Sequence, residues 1–142
     1  MQTNGERARE IFEALWCDRD VDRVRELLTP DARIHDPFRG LLDRTGFEEL
    51  LAGSGGALPE DLQIVVEEVV EAGDRVVVRW SGLGGRAEGV DGVTGLSLLT
   101  LRDGRLAEQW TAWDTPRFGE AFGLVSHGAQ AVFSFDRPTP PA

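Results

Sequence analysis

The sequence contains no lysine; all 15 of its basic residues are arginines. Schiff-base chemistry and a lysine-anchored pyridoxal cofactor are thereby excluded. It contains no tyrosine, so no phenol is available as a proton donor. The single cysteine, Cys17, can form neither an internal disulfide nor a thiolate metal cluster. Two histidines, His35 and His127, are too few for a tris-histidine metal site. No apolar run approaches the roughly 18 residues of a membrane span. Basic charge is also scarce: 25 acidic residues against 15 basic leave a net charge of −10. A nucleic-acid partner is therefore not expected, because phosphate binding needs basic patches. No metal or cofactor is expected either. Chemistry is left to carboxylates, two histidines, hydroxyls, amides and arginines.

The 142 residues fit one domain of ordinary apolar content, 41%. The expected division is a single domain over 1–136 and a loose tail over 137–142, whose composition (RPTPPA) is that of a linker. Met1 to Glu10 is polar and has no signal-peptide core, so a soluble, cytoplasmic protein is expected.

Residues 5–17 place Ala8, Ile11, Phe12, Leu15 and Trp16 on one helical face, with Asn4 as the expected N-cap. A second short helix is expected from Asp20 to Leu28, stopped by Thr29-Pro30-Asp31. Arg33 to Asp36 reads as a short strand ended by Pro37. Thr45 with Glu48 forms a capping-box pattern that opens a third helix, Gly46 to Leu51. After Pro59 the period changes to two. Strands are expected over Leu62–Ala72, Arg75–Gly82, Val93–Arg102 and Arg105–Asp114, with turns at Gly73-Asp74 and Asp103-Gly104. Gly82 to Val90 is glycine-rich and reads as a hairpin connection. Helices first and a strand meander afterwards is an α+β pattern. Three helices against a strongly curved, mainly antiparallel sheet would enclose a pocket in a cone.

Three segments carry a family resemblance: Pro30 to Gly40 (PDARIHDPFRG), Glu71 to Trp80 (EAGDRVVVRW), and Gly95 to Trp110 continuing through Trp113-Asp114. In order and spacing the chain resembles the nuclear-transport-factor-2-like superfamily, specifically the SnoaL-like polyketide cyclases and ketosteroid isomerases. In the isomerases the aspartate before the proline of the first segment is the general base, which implies that role for Asp36. Ser97 stands where the isomerases place an aspartic acid that hydrogen-bonds the developing oxyanion, and Phe12 lies near the place of their tyrosine. Gln109 and Thr111 match inward positions where cyclases of the family often carry His or Asp. The resemblance also implies a homodimer.

Asp36 admits two readings: an acid/base carboxylate at the mouth of an apolar pocket, or a side chain capping the turn into Pro37. On the strand after Pro59, Gln63, Val65, Glu67, Val69 and Glu71 share one face. Leu62, Ile64, Val66, Glu68 and Val70 share the other. Glu67 or Glu68 would pair with Asp36 in an epoxide-opening relative; otherwise both belong to a solvated face. Ser97 and Gln109 can hydrogen-bond a substrate carbonyl but cannot ionise usefully. Phe12, Trp16, Phe38, Trp80, Thr111 and Trp113 are the expected substrate-binding residues, and Trp80 rather than Arg79 should point inward. His35 should face away from Asp36. His127, Phe133 and Phe135 would close over the pocket or cover a second subunit.

These readings converge on a cofactor-free cyclase or isomerase forming a ring in a hydrophobic polyketide-like molecule. Asp36, Glu67, Ser97 and Gln109 are its candidate catalytic residues, and ring closure by conformational control alone is open to it. Two alternatives stand beside it: epoxide opening by an Asp36–Glu pair, and a non-catalytic small-molecule binding module.

Overall fold

The computed structural model describes residues 1–53, 62–83 and 93–114. The expected connection over Gly82–Val90, the segment after Asp114 with His127, Phe133 and Phe135, and the 137–142 tail lie largely or wholly outside those residues.

Helix α1 spans Asn4–Phe12 and continues through a π turn, Glu13–Cys17. Its N-cap is Thr3, one residue before the expected Asn4. The Thr3 hydroxyl accepts the Glu6 N–H at 3.1 Å, and the Glu6 carboxylate accepts the Thr3 N–H at 2.9 Å. This capping box satisfies orphan donors at the helix start, while Asn4 Nδ2 donates to the Gly73 carbonyl at 2.8 Å. The second helix is shorter than expected: a 3-10 turn, Val21–Arg23, leads into α2, Val24–Leu27. Helix α3 spans Arg44–Leu51, capped by Asp43, whose carboxylate accepts the Gly46 N–H at 2.7 Å. The Thr45/Glu48 pattern thus falls inside the helix, because Asp43 captures the free donor first.

Strand β1 spans Leu28–Asp36 and runs through Thr29-Pro30-Asp31, expected to be a break. Pro30 is tolerated because the β1–β6 register shifts between Leu28 and Arg33. A short β2, Gly40–Leu42, folds back on β1; three residues are too few for an alternation signal. Strands β3 (Gln63–Ala72), β4 (Arg75–Leu83), β5 (Val93–Arg102) and β6 (Arg105–Trp113) follow the expected meander. The sheet is six-stranded in the order β2-β1-β6-β5-β4-β3. It is mixed, curved and unclosed, with β1 and β6 parallel. This is the expected α+β fold with three helices against a curved sheet.

The core lies between the helices and the inner sheet face. It holds Ile11, Phe12, Leu15 and Trp16 from the first helical segment, Phe47 and Leu50 from α3, and Val76, Val78, Trp80, Leu99 and Leu106 from the sheet. The expected sharing of one β3 face by Val66, Glu68 and Val70 is overturned. A bulge between Val66 and Glu68 shifts the β3–β4 register and reverses the alternation beyond it. Val69 rather than Val70 packs on the core, and Glu68 is exposed instead of facing it. Among the described residues no helix is long and apolar enough to cross a membrane.

Candidate functional site

Helical spacing puts Phe12 and Trp16 on the same side of the first helical segment, facing the sheet. Opposite them, alternation on β4, β5 and β6 turns Trp80, Ser97, Thr111 and Trp113 inward. Together with Leu62 and Ile64 these residues line a slot whose cavity volume is about 10 Å³. The slot is narrow and its open surface is apolar; little of it is wide enough for more than one water molecule. Its aromatic walls are interlocked. Phe12 and Trp16 lie 6.3 Å apart by ring centroids, Trp16 and Phe47 5.4 Å, and Trp80 meets Trp113 edge-on at 5.8 Å.

Behind this wall runs a buried polar ladder. Trp80 Nε1–H donates to Ser97 Oγ at 3.1 Å, and the Ser97 and Thr111 hydroxyls share a hydrogen bond at 2.9 Å. Gln109 Nε2–H donates to Thr111 Oγ1 at 3.0 Å, and Gln109 Oε1 accepts from Trp16 Nε1 at 3.5 Å. Ser97 and Gln109 are each only 1% exposed. Gln109 is therefore engaged in joining Trp16 to Thr111 and does not line the slot. Each polar group has a partner, as burial demands, and the ladder fixes the orientation of two indoles.

Trp80 has a second support. A Cβ on Gly95 would lie 2.2 Å from its ring, so the indole packs directly on the Gly95 backbone. Sequence reasoning missed Gly95; the signal was a glycine inside a strand, which often marks a close approach. It also passed over Leu62 and Ile64 as slot residues, although both belong to the apolar face of β3.

The carboxylates lie elsewhere. Asp36 is half-buried at the end of β1, and its Oδ1 accepts the N–H groups of Phe38 at 2.9 Å and Arg39 at 2.8 Å. Asp36 is not among the slot's lining residues. Glu67 is exposed at the β3 bulge, and Glu68 is exposed and paired with Arg79 at 3.2 Å. The Asp36–Glu pair is thus not assembled, because the bulge leaves both glutamates facing solvent. Phe38 is 54% exposed rather than in the slot, yet its ring packs on Trp113 at 5.5 Å. His35 lies on the outer face, stacked on Trp110 at 3.4 Å and donating to Glu108 at 3.0 Å. That hydrogen bond holds the Glu108 carboxyl below the usual carboxylate range. Burial pushes the Cys17 thiol up to about 11, which leaves it a poor nucleophile. Among the described residues no cluster of His, Cys, Asp or Glu suits a metal ion.

Comparison with known proteins identifies the architecture. The model of the SnoaL-like domain matches residues 8–109. No curated protein sequence matches the chain. Among solved structures, IdmH of Streptomyces antibioticus, a candidate polyketide cyclase, is 26% identical; the alignment covers 83% of this chain and 99% of that one, with a TM-score of 0.65. A candidate SnoaL-like polyketide cyclase from Jannaschia sp. CCS1 is 27% identical over 86% of this chain and 92% of that one, TM-score 0.64. TerC, co-crystallised with polyporic acid, is 25% identical over 84% and 98%, TM-score 0.69. Slot, sheet and family match agree, and the chain belongs to the SnoaL-like family of the nuclear-transport-factor-2-like superfamily.

Proposed function

We propose that this protein is a cofactor-free cyclase or isomerase that folds a hydrophobic, polyketide-like intermediate into a ring-closing conformation in the cytoplasm. One observation carries the reading: a slot walled by four aromatic rings, Phe12, Trp16, Trp80 and Trp113, with Ser97 and Thr111 at its back. The slot has room for about one water, so its aromatic walls part to admit a flat or folded apolar molecule and hold it by area and stacking. Holding a flexible chain in a near-attack conformer lowers a ring-closure barrier by several kcal/mol with no proton transfer. The family supports a cyclase or isomerase, and TerC, 25% identical, was co-crystallised with polyporic acid.

A second reading keeps Asp36 as general acid or base. It is favoured by the turn's use of a single carboxylate oxygen, Oδ1, which accepts both backbone N–H groups.

The test is metabolic. Deleting the gene in the source organism should make an isomer of the normal product accumulate, read by mass spectrometry. Complementation with Ile64→Trp, which fills the slot, should leave the deletion phenotype in place. Full rescue by Ile64→Trp would remove the slot from the mechanism. An unchanged metabolite profile in the deletion would favour a non-catalytic binding module.

We also propose that two copies pair through the outer sheet face. His35, Trp110, Leu98, Val77 and Val70 are successive partners across five strands and form one mainly apolar row. One flanking row carries Arg33, Glu108 and Arg75, and the other Arg79 and Glu68. Each flank holds both signs, so a two-fold-related copy can oppose its own charges.

A further inference from the structure

Phe38 is a large apolar side chain on an exposed turn, and its position is closely determined. Asp36 and Gly40 are the last partners of the β1–β2 hairpin, and Gly40 has φ +74°, which closes the turn without strain. Between them Pro37 limits the backbone at its own position. The N–H groups of Phe38 and Arg39 both donate to one oxygen, Asp36 Oδ1. The Phe38 backbone is thereby pinned, and its ring leans on Trp113 at 54°. Trp113 lines the slot and also meets Trp80 edge-on.

We infer that Asp36 is a positioning residue: its turn carboxylate holds Phe38 against Trp113 and so sets the rim of the slot. The role belongs to an acceptor oxygen at Oδ1, not to a transferable proton. It therefore passes to asparagine, which presents the same oxygen and is equally suited to this turn, and it fails with alanine. This deepens the proposed function and rests on the slot being the ligand site.

The experiment compares wild type, Asp36→Asn, Asp36→Ala and Phe38→Ala, all as the full chain. The chain has four tryptophans, so each variant shows four indole N–H signals in a ¹⁵N–¹H spectrum, with that of Trp113 assigned from Trp113→Phe. In Asp36→Ala the Trp113 signal should move toward its position in Phe38→Ala, while the buried Trp16 and Trp80 signals report an intact fold. Asp36→Asn should keep the Trp113 signal near wild type. Titration with polyporic acid adds the binding readout: Asp36→Ala should bind about two- to tenfold more weakly, the range expected for one aromatic contact, and Asp36→Asn should recover most of that loss. If Asp36→Ala leaves Trp113 unmoved, the inference is overturned. It is also overturned if Asp36→Asn behaves as Asp36→Ala, since the carboxylate's charge would then matter. If Asp36→Ala does not fold, Phe38→Ala decides: a Trp113 signal that stays at its wild-type position would break the link from turn to rim. Should polyporic acid fail to bind wild type, the ligand-site reading loses support, while the indole signals still decide the positioning role.

Discussion

At Gly95 the space a side chain would take is already filled by the Trp80 indole. Gly95 is the point where the sheet backbone makes room for the floor of the slot. Gly95→Ala forces either the ring or the strand to move. The expected cost is about 1–3 kcal/mol, the range for overpacking a filled core, read as a lower urea midpoint with an unchanged slope. Moving Trp80 also breaks its hydrogen bond to Ser97, so its indole N–H signal should shift. An unchanged midpoint would show that the indole has another place to rest. At this scale the sequence was informative about side-chain type and direction: Trp80 points inward and Arg79 outward to Glu68, as alternation predicts. It was silent on which polar groups satisfy one another. The β5–β6 register brings the Ser97 and Thr111 hydroxyls together, Trp80 reaches Ser97 across β4–β5, and Trp16 reaches Gln109 from the helical layer.

At the scale of elements, α2 has four residues, too few for a helix to persist alone. Arg105 holds its end to the sheet by donating to the carbonyls of Arg25 at 2.8 Å, Glu26 at 3.1 Å and Leu28 at 2.6 Å. Arg25 and Glu26 lie in the last turn of α2 and Leu28 caps it, where carbonyls run out of intrahelical donors, and the cation also complements the helix dipole. Arg105→Ala should cost about 1–3 kcal/mol, as loss of charged hydrogen bonds does, with faster amide exchange concentrated in α2. Exchange raised uniformly over the chain would contradict this local role. The β5–β6 hairpin was legible because Asp103 and Gly104 both need positive φ, found at 53° and 71°, and Asp-Gly is the pair that tolerates it. The β3 bulge was not legible. In LQIVVEEVVEA valine and glutamate fall on both faces, and the extra residue at Glu67 exists only in relation to β4.

For the whole molecule, the outer sheet face is the open question of assembly. Trp110 and Leu96 are about half exposed there, and burying that surface against a second copy would remove apolar area from water. Light scattering coupled to gel filtration should give twice the chain mass. Trp110→Glu, placing a charge in the middle of the row, should give the single-chain mass with the slot indoles unperturbed. A wild-type protein at single-chain mass would overturn the pairing.

The sequence by itself determined the fold class, the long strands with the inward faces of β4, β5 and β6, the aromatic walls of the slot and the family, because these depend on local periodicity, turn residues and short segments in order. Only the tertiary structure decided where the carboxylates go. A one-residue bulge sends Glu67 and Glu68 to solvent, and a two-bond turn commits Asp36 Oδ1 to the backbone. The physical reason is that register and hydrogen-bond partnership are relations between segments distant in the chain. No period within one segment encodes which neighbour it will meet.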